Sequence, residues 1–529
     1  MAAVVLAGLA CPKAAEQKPL IGGVGKPIAV GAGADLRATP DRKFLTFLRS
    51  PVRPALDGVP QHLALGELVV TPSLGGTARS LGPSVSNAPG GYGFSPDSRY
   101  VLFLRGYNAA SRQGELTVAD LTDASRAPIP LGGFVSFFIV SDDSRRVAFV
   151  DAGVLKVSTM GEGSAKQISG EVSTADFLPG GRQLLYRRTY AAGGGLFLTS
   201  VEGAKLPVKL VDRSGDYQTS PDGNWIAYSA TDPDTVSQNN LFLTRTNAIA
   251  PRKLALRAGK FSFSPDSKSL AFLDALSRDG SFGTLIVQPV TATARPVDPR
   301  SKKAERPGQI GEAVATFSFA PDSHSIAAVV GYRIESRDGR LVTASAPDWK
   351  PKPVSAKANA FEWSPDSKHL VFNILVTRPL PSVYLYVQTM GEEKPRKIED
   401  GAYGFAFVPA TKQLLFRSEC SKGEGGVMPR SCVLKSLDLS RPADPPKAVT
   451  ESIYSFKPSA DGSRLLVTYV RTDADAYDTA VLDLKTGNRK TLDTYTLLPG
   501  LFLDDGGDRV AYLISVAKRS GLYVADVKL

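Results

Sequence analysis

The chain offers few residues for acid–base, nucleophilic or metal chemistry, although it is 529 residues long. Its three histidines are His62, His324 and His369, and the last two follow Asp-Ser in a repeated phrase, so we expect them to be solvated turn residues. The sequence contains no Gly-x-Ser-x-Gly elbow, no His-Glu-x-x-His pair, and no Walker or dinucleotide glycine pattern. We therefore predict that the chain is not an enzyme and that it holds no cofactor and no metal ion.

Aspartate is the chemically active residue that recurs at a regular spacing. It stands in a phrase, such as FSPDSRYVLF from Phe94, that returns about every 45 residues. Eleven copies begin at Ala38, Phe94, Val140, Phe177, Thr219, Phe263, Phe319, Trp363, Phe407, Pro458 and Leu503. The aspartates concerned are Asp41, Asp97, Asp143, Asp222, Asp266, Asp322, Asp366 and Asp461. Asp97, Asp222, Asp266, Asp322 and Asp366 are each alone in their turns, so we interpret them as structural turn caps and not as calcium ligands, and we assign the same structural role to the other three.

The phrase has the pattern of a strand, a tight turn and a second strand. Proline pre-sets φ, the aspartate carboxylate accepts from a backbone amide two residues on, and serine or glycine allows the reversal. A third apolar strand follows, such as LFLTRT from Leu241, and a fourth carries a basic residue at its start, as in PRKLAL from Pro251. Four short antiparallel strands per repeat make one β-propeller blade. We therefore predict an all-β chain of about eleven four-stranded blades.

The phrase resembles the WD40-like (PD40) repeat of the TolB type, which occurs in the periplasmic propeller of the Tol-Pal system and in the propellers of prolyl oligopeptidase relatives. The resemblance covers residues 34 to 529 and implies a β-propeller fold. It implies no activity, because the phrase marks a blade turn and not a site.

Eleven blades exceed the usual ring of four to eight, so we expect two propellers rather than one large ring. A proline-rich, charged segment at 295–311 is the best linker, and it leaves six blades in 26–294 and five in 312–529. The last copy ends after its third strand, and residues 26–30 look like an unpaired fourth strand. If this strand completes the last blade, the two ends of the chain meet. The chain then forms one ring or crosses twice between two rings.

An apolar run of small residues at 1–11 ends at Cys11 and gives way to a polar segment at 12–25. The run resembles the end of a bacterial lipoprotein signal, in which the cysteine becomes the lipidated first residue. The resemblance implies a flexible tether over 12–25 and lipidation of Cys11. The alternative is an ordinary start with an incidental cysteine, because no basic region precedes the run and Gly8 stands where a leucine is usual.

The other two cysteines, Cys420 and Cys432, flank a polar, glycine-rich insertion between the second and third strands of one blade. Paired strands at the base of such a hairpin bring facing Cα atoms within disulfide reach. We predict a disulfide between them, with two free thiols as the alternative. A disulfide indicates an oxidising compartment, which for this chain means the periplasm or cell surface, and the lipid implies attachment to the outer membrane.

The net charge is +11, from 63 basic and 52 acidic residues. Many cations repeat in the turn and in the fourth strand, so we interpret most of the excess as a solvated rim, although clusters at 300–303 and 350–352 would also suit acidic partners. No aromatic stacking motif accompanies them, and we expect no nucleic acid partner.

We predict a non-enzymatic cell-envelope scaffold that binds envelope proteins or peptides through its propeller loops or channel. The alternative is a propeller that regulates or accompanies a peptidase or a glycan-active enzyme.

Overall fold

The computed structural model describes residues 24–529 except 32, 56–59, 61, 203–205, 233–234, 278, 293–306, 377–381, 423–428, 472–476 and 515–518. The described residues form 41 β-strands and one short 3-10 turn, Tyr190–Ala192. The strands assemble into four-stranded antiparallel units, which confirms the predicted all-β propeller architecture. Among the described residues, no helix has the length and hydrophobicity that a membrane span requires.

The strands are short and are numbered in chain order. The first sixteen are β1 (Lys26–Val30), β2 (Gly33–Ala38), β3 (Phe44–Val52), β4 (Leu65–Pro72), β5 (Arg79–Ser86), β6 (Tyr92–Phe94), β7 (Tyr100–Asn108), β8 (Gln113–Asp120), β9 (Ile129–Val140), β10 (Arg146–Asp151), β11 (Val154–Thr159), β12 (Lys166–Ser169), β13 (Val172–Phe177), β14 (Gln183–Arg188), β15 (Leu196–Ser200) and β16 (Val208–Val211). The next sixteen are β17 (Ser214–Thr219), β18 (Trp225–Asp232), β19 (Thr235–Arg245), β20 (Arg252–Ala255), β21 (Phe261–Phe263), β22 (Ser269–Asp274), β23 (Gly283–Pro289), β24 (Gln309–Val314), β25 (Thr316–Phe319), β26 (Ser325–Arg333), β27 (Asp338–Ser345), β28 (Lys352–Ala358), β29 (Ala360–Trp363), β30 (His369–Val376), β31 (Ser382–Thr389) and β32 (Arg396–Asp400). The last nine are β33 (Tyr403–Phe407), β34 (Gln413–Lys422), β35 (Pro429–Asp438), β36 (Lys447–Pro458), β37 (Arg464–Val470), β38 (Tyr477–Asp483), β39 (Arg489–Phe502), β40 (Arg509–Ile514) and β41 (Gly521–Asp526).

These strands make eleven blades, which are also numbered in chain order. Blade 1 is the sheet β2 to β5, and blades 4 to 8 are successive sheets of four strands from β13 to β32. Three strands, β9, β36 and β39, each serve two blades, as the fourth strand of one and then the first strand of the next. The sheet β6 to β12 therefore holds blades 2 and 3, and the ten-stranded sheet holds blades 9, 10 and 11.

The apolar core lies between neighbouring blades. Val101, Leu102 and Phe103, which are consecutive in β7, are all buried. A strand can be apolar on both faces in this way because its sheet is covered on both sides. Each of the eleven core clusters joins one blade to the next one along the chain or, in one case, the last blade to the first.

The N-terminal strand completes blade 11, because β1 pairs antiparallel with β41. Blade 11 then packs on blade 1 in a cluster that contains Phe47 and Leu513. Just before β1, the amide of Gly25 donates a hydrogen bond to the Tyr512 hydroxyl at 3.1 Å. The first and last strands of the described residues, β1 and β41, are therefore held in the same blade.

Most of the predicted linker at 295–311 lies outside the described residues, whereas its last part, from Gln309, forms β24. Blades 6 and 7, on either side of it, share a core cluster that includes Leu285 and Phe317. The division into two propellers stays a prediction. The continuous packing from blade 6 to blade 7 and from blade 11 to blade 1 favours a single closed ring.

Candidate functional site

The two faces of the propeller are built from different connections. In each blade the first and third strands end on one side, where the Pro-Asp-Ser turns lie, and we call this side the turn face. The second strand ends on the opposite side, where a hairpin leads to the third strand, and we call this side the loop face. The first strands of neighbouring blades contact each other, as β9 contacts β13 and β39 contacts β2. The first strands therefore lie side by side, and we call the surface that they form the inner wall of the propeller.

Asp266 shows how a turn aspartate acts. Its carboxylate accepts hydrogen bonds from the Ser264 hydroxyl at 2.6 Å and from the Lys268 amide at 3.1 Å. The Ser264 hydroxyl accepts in turn from the Ser269 amide at 2.9 Å, which ties the first strand to the second. Burial alone would raise the pKa of Asp266, but these hydrogen bonds outweigh burial and hold the pKa below its ordinary value.

The other predicted turn aspartates accept the same hydrogen bond from the backbone amide two residues on. They are Asp41, Asp97, Asp143, Asp222, Asp322, Asp366 and Asp461. In the turn of Asp322, Ala320 occupies the place of the hydroxyl residue that the others have two residues earlier. The carboxylates therefore cap backbone within their own blades. The described residues contain no group of three or more His, Cys, Asp or Glu side chains arranged to hold a metal ion.

The serine that follows a turn aspartate links neighbouring blades, a role that the sequence-based prediction did not include. The Ser323 hydroxyl of blade 7 accepts a hydrogen bond from the Asp266 amide of blade 6 at 2.9 Å. The same bond, at 2.9 to 3.0 Å, joins Asp41 to Ser98, Asp97 to Ser144, Asp222 to Ser267 and Asp322 to Ser367. All five serines have φ between 60° and 67°, in the left-handed region where glycine is the usual residue. In the sequence, the signal for this link between blades is a serine at a turn position that suits glycine.

Other contacts continue this belt of turn-to-turn bonds where the phrase is less regular. Between blades 3 and 4, the Gly180 amide donates to the Asp142 carboxylate at 2.8 Å. Between blades 10 and 11, the Asp461 amide donates to the Asp505 carbonyl at 3.1 Å. Between blades 11 and 1, Arg42 pairs with the Asp505 carboxylate at 2.7 Å. The belt therefore also joins blade 11 to blade 1.

The loop face carries the most exposed aromatic side chains of the described residues. Phe134 is 66% exposed, Tyr190 is 77% exposed and Tyr454 is 36% exposed. Each stands at the loop-face end of a first strand or in a hairpin between second and third strands. The ring of Tyr454 packs against Tyr477 with the ring centres 4.9 Å apart. Aromatic residues are enriched at protein–protein interfaces, so the loop face has the composition of a binding surface.

The hairpin of blade 9 lies at the loop face and carries the predicted disulfide. Cys420 on β34 and Cys432 on β35 are bonded, with their Cα atoms 4.0 Å apart, which confirms the prediction. The middle of the insertion between them, residues 423–428, lies outside the described residues. Beside the disulfide, Lys435 pairs with Glu399 of blade 8 at 2.9 Å and with Glu419 at 2.7 Å. The base of the hairpin is therefore fixed to the neighbouring blade.

Hydrogen bonds between first strands hold the inner wall together. The Tyr217 hydroxyl of blade 5 donates to the Asp176 carboxylate of blade 4 at 2.7 Å. The indole N–H of Trp363 in blade 8 donates to the Ser318 carbonyl of blade 7 at 3.2 Å. Desolvation by the surrounding wall raises the pKa of Asp176, and the hydrogen bond from Tyr217 opposes that rise.

The histidines lie in different environments. His324 is exposed in its turn, as predicted, and His62 is exposed as well. The prediction for His369 was wrong, because this side chain is only 6% exposed. His369 is the first residue of β30, so it already belongs to a second strand that packs between blades. Burial lowers its pKa, whereas the nearby Asp366 carboxylate acts to raise it.

Cations at the start of the fourth strands join blades, whereas the sequence had indicated mainly a solvated rim. Arg79, Arg252 and Arg396 donate to the backbone carbonyls of Asp120, Val290 and Asp444, each in the next blade. These arginines satisfy carbonyl groups at the end of the neighbour's third strand or in the connection that follows it. Of the two predicted basic clusters, 300–303 lies outside the described residues, and Lys350 and Lys352 are exposed.

No known protein family and no curated protein matches this sequence. Among solved structures, the chain is similar to the tricorn protease (12% identity, TM-score 0.30, 88% of this chain and 48% of that chain). It is also similar to a eukaryotic initiation factor (14% identity, TM-score 0.40, 70% of this chain and 91% of that chain). A third similar structure is the Dos1 propeller (12% identity, TM-score 0.35, 70% of this chain and 96% of that chain). The chain spans about half the length of the tricorn protease. These likenesses concern the fold alone, and the assignment of a propeller rests on strand order and register.

Proposed function

We propose that this chain is a non-enzymatic scaffold of the bacterial cell envelope that binds protein partners on its loop face. The observation that carries the proposal is the placement of Phe134, Tyr190 and Tyr454, from blades 3, 4 and 10, on one face with their rings exposed. Such rings supply large contact area at little cost in conformational entropy. The turn-to-turn belt joins blade 10 to blade 4 through blades 11, 1, 2 and 3, so the loops that carry these three rings form a pre-organised surface.

The disulfide supports both the binding surface and the compartment. It fixes the base of a hairpin at the loop face, and disulfides persist in oxidising compartments such as the periplasm. The TolB-like phrase and the lipoprotein-like run that ends at Cys11 support an exported protein with a lipid anchor in the outer membrane. Residues 1–23, with Cys11 among them, lie outside the described residues.

Photo-cross-linking tests the loop face as the binding surface. A photoreactive phenylalanine analogue replaces Phe134 or Tyr190, and the control positions are Leu74 and Leu206 on the turn face, which are 77% and 89% exposed. Ultraviolet illumination of intact cells should link the loop-face variants, and not the controls, to a defined protein. Mass spectrometry of that protein separates a structural partner from a peptidase or glycan-active enzyme. Equal yields from both faces, or products from the turn face alone, would contradict the proposal.

A further inference from the structure

One position at the end of the third strand differs in charge between blades. In four blades the residue that pairs with the first residue of the second strand is an aspartate, namely Asp120, Asp438, Asp483 and Asp526. Asp120, for example, accepts from the Thr122 amide at 2.9 Å and pairs with Arg99 at 3.0 Å. In blade 5 the matching residue is Arg245, which pairs with Trp225 across the two strands. Blade 5 therefore presents a cation where four other blades present a carboxylate.

A groove of about 350 Å³ lies beside this arginine, at the turn face between blades 5 and 6. Its walls include Trp225, Arg245, Arg252 and Thr291. The guanidinium carbon of Arg245 lies 4.6 Å from the centre of the Trp225 ring, and that of Arg252 lies 5.9 Å from it. The groove therefore combines one aromatic wall with two guanidinium groups.

The positive charge of this groove is not neutralised within the described part of the chain. There, neither Arg245 nor Arg252 has a carboxylate within ion-pair distance. Arg252 is half-buried and donates to the Val290 carbonyl, and burial lowers its pKa. Arg245 is exposed, and among the described residues its guanidinium has the Trp225 ring as its neighbour and no acceptor. An incoming carboxylate would meet donors that the fold has left available.

We propose that this groove binds an acidic side chain from an extended peptide segment of a partner protein. The ligand carboxylate accepts two N–H bonds from the fork of Arg245, the residue that stands where four other blades have an aspartate. Ala248 and Ala250 on the rim are small and exposed, so they leave room for a peptide backbone beside Trp225. Because the groove lies on the turn face, it is a second binding surface, separate from the proposed loop-face site.

Titration calorimetry of the full chain with two synthetic peptides tests the groove. Acetylated hexaglutamate is the probe, and acetylated hexaglutamine is the uncharged control of the same length. Arg245→Ala removes the groove arginine, and Arg340→Ala removes an exposed arginine of blade 7 as the matched control. We expect binding of hexaglutamate and not of hexaglutamine. Arg245→Ala should weaken it about ten-fold or more, the scale of one charged hydrogen-bonded contact, and Arg340→Ala less than about two-fold.

Equal losses of hexaglutamate affinity in Arg245→Ala and Arg340→Ala would show general charge attraction, and the proposal of a binding site in the groove would then be wrong. Glutarate binding with the affinity of hexaglutamate would show a small-anion site and would overturn the peptide assignment. Arg245→Gln, which removes the charge and keeps a polar side chain, repeats the test if the alanine variant has a lower melting temperature. The same ten-fold loss is expected from it. Loop-face cross-links should be unchanged in both variants, so failure of the groove and failure of the scaffold are distinguishable.

Discussion

The amide of Asp266 and the hydroxyl of Ser323 form a 2.9 Å hydrogen bond across the junction of blades 6 and 7. The two residues are 57 positions apart in the chain, and the same bond recurs at four further junctions. Ser323 presents its hydroxyl from a left-handed backbone conformation, with φ at 67°. The geometry of each turn and the packing of the next blade therefore depend on each other.

Removal of one turn carboxylate should weaken the fold slightly and leave binding intact. We expect Asp266→Ala to lower the free energy of unfolding by about 1 kcal/mol, the scale of a side-chain hydrogen bond to backbone. Phe272→Ala should cost about 3 to 5 kcal/mol, because it opens a cavity between blades; Phe272 is buried between blades 5 and 6. Denaturant titration measures both. If Asp266→Ala abolishes loop-face cross-linking while the unfolding midpoint is unchanged, the turns are a site and the structural role is wrong.

The buried His369 should make stability depend on pH. Its pKa in the folded chain lies below 6.5 because of burial; Asp366 and Glu392 act to raise it, and Lys412 and Lys368 act to lower it. Because the unfolded chain takes up the proton first, this contribution to stability is complete above about pH 6.5 and is lost as the pH falls through the folded pKa.

Unfolding midpoints between pH 7.5 and 5 test this dependence in two matched variants. His369→Gln should flatten the fall in stability on acidification. His324→Gln, which changes an exposed turn residue, should leave the fall as it is in the wild type. The same pH dependence in all three proteins would show that His369 is not its source.

The disulfide should stabilise the blade 9 hairpin by a modest amount. The bridge closes a short loop between residues 12 positions apart. Replacement of both cysteines by serine should therefore lower the free energy of unfolding by at most about 3 kcal/mol in the chain-entropy description.

Non-reducing peptide mapping of the exported protein should recover the Cys420 and Cys432 peptides linked together. Two alkylatable thiols in that protein would refute the bridge in the cell.

We predict that lipidation of Cys11 anchors the chain to a membrane. Cys11→Ser should release the protein from the membrane fraction and abolish incorporation of labelled palmitate, because the thiol that carries the acyl chains is gone. The wild-type chain is the control for both readings. Membrane association that persists in the variant, together with an unlabelled wild-type protein, would count against the anchor.

The sequence predicted the blades well because each turn phrase and its flanking strands lie within a few consecutive residues. The hydrogen bond from the Asp266 amide to Ser323 was missed because it depends on the distance between two neighbouring blades. The sequence of a single turn does not determine that distance. The environment of His369 was misassigned because one residue decides whether a side chain belongs to the turn or to the second strand. Arg245 stands where four other blades have an aspartate, and this could be recognised only from the register between β18 and β19.

Closure of all eleven blades into one ring is tested most directly by electron microscopy of the purified chain. Class averages viewed along the ring axis should show a single ring of eleven radial units. This is expected because core packing and turn contacts join blade 6 to blade 7 and blade 11 to blade 1. Particles that each contain two smaller rings, of six and five units, would contradict the closed ring.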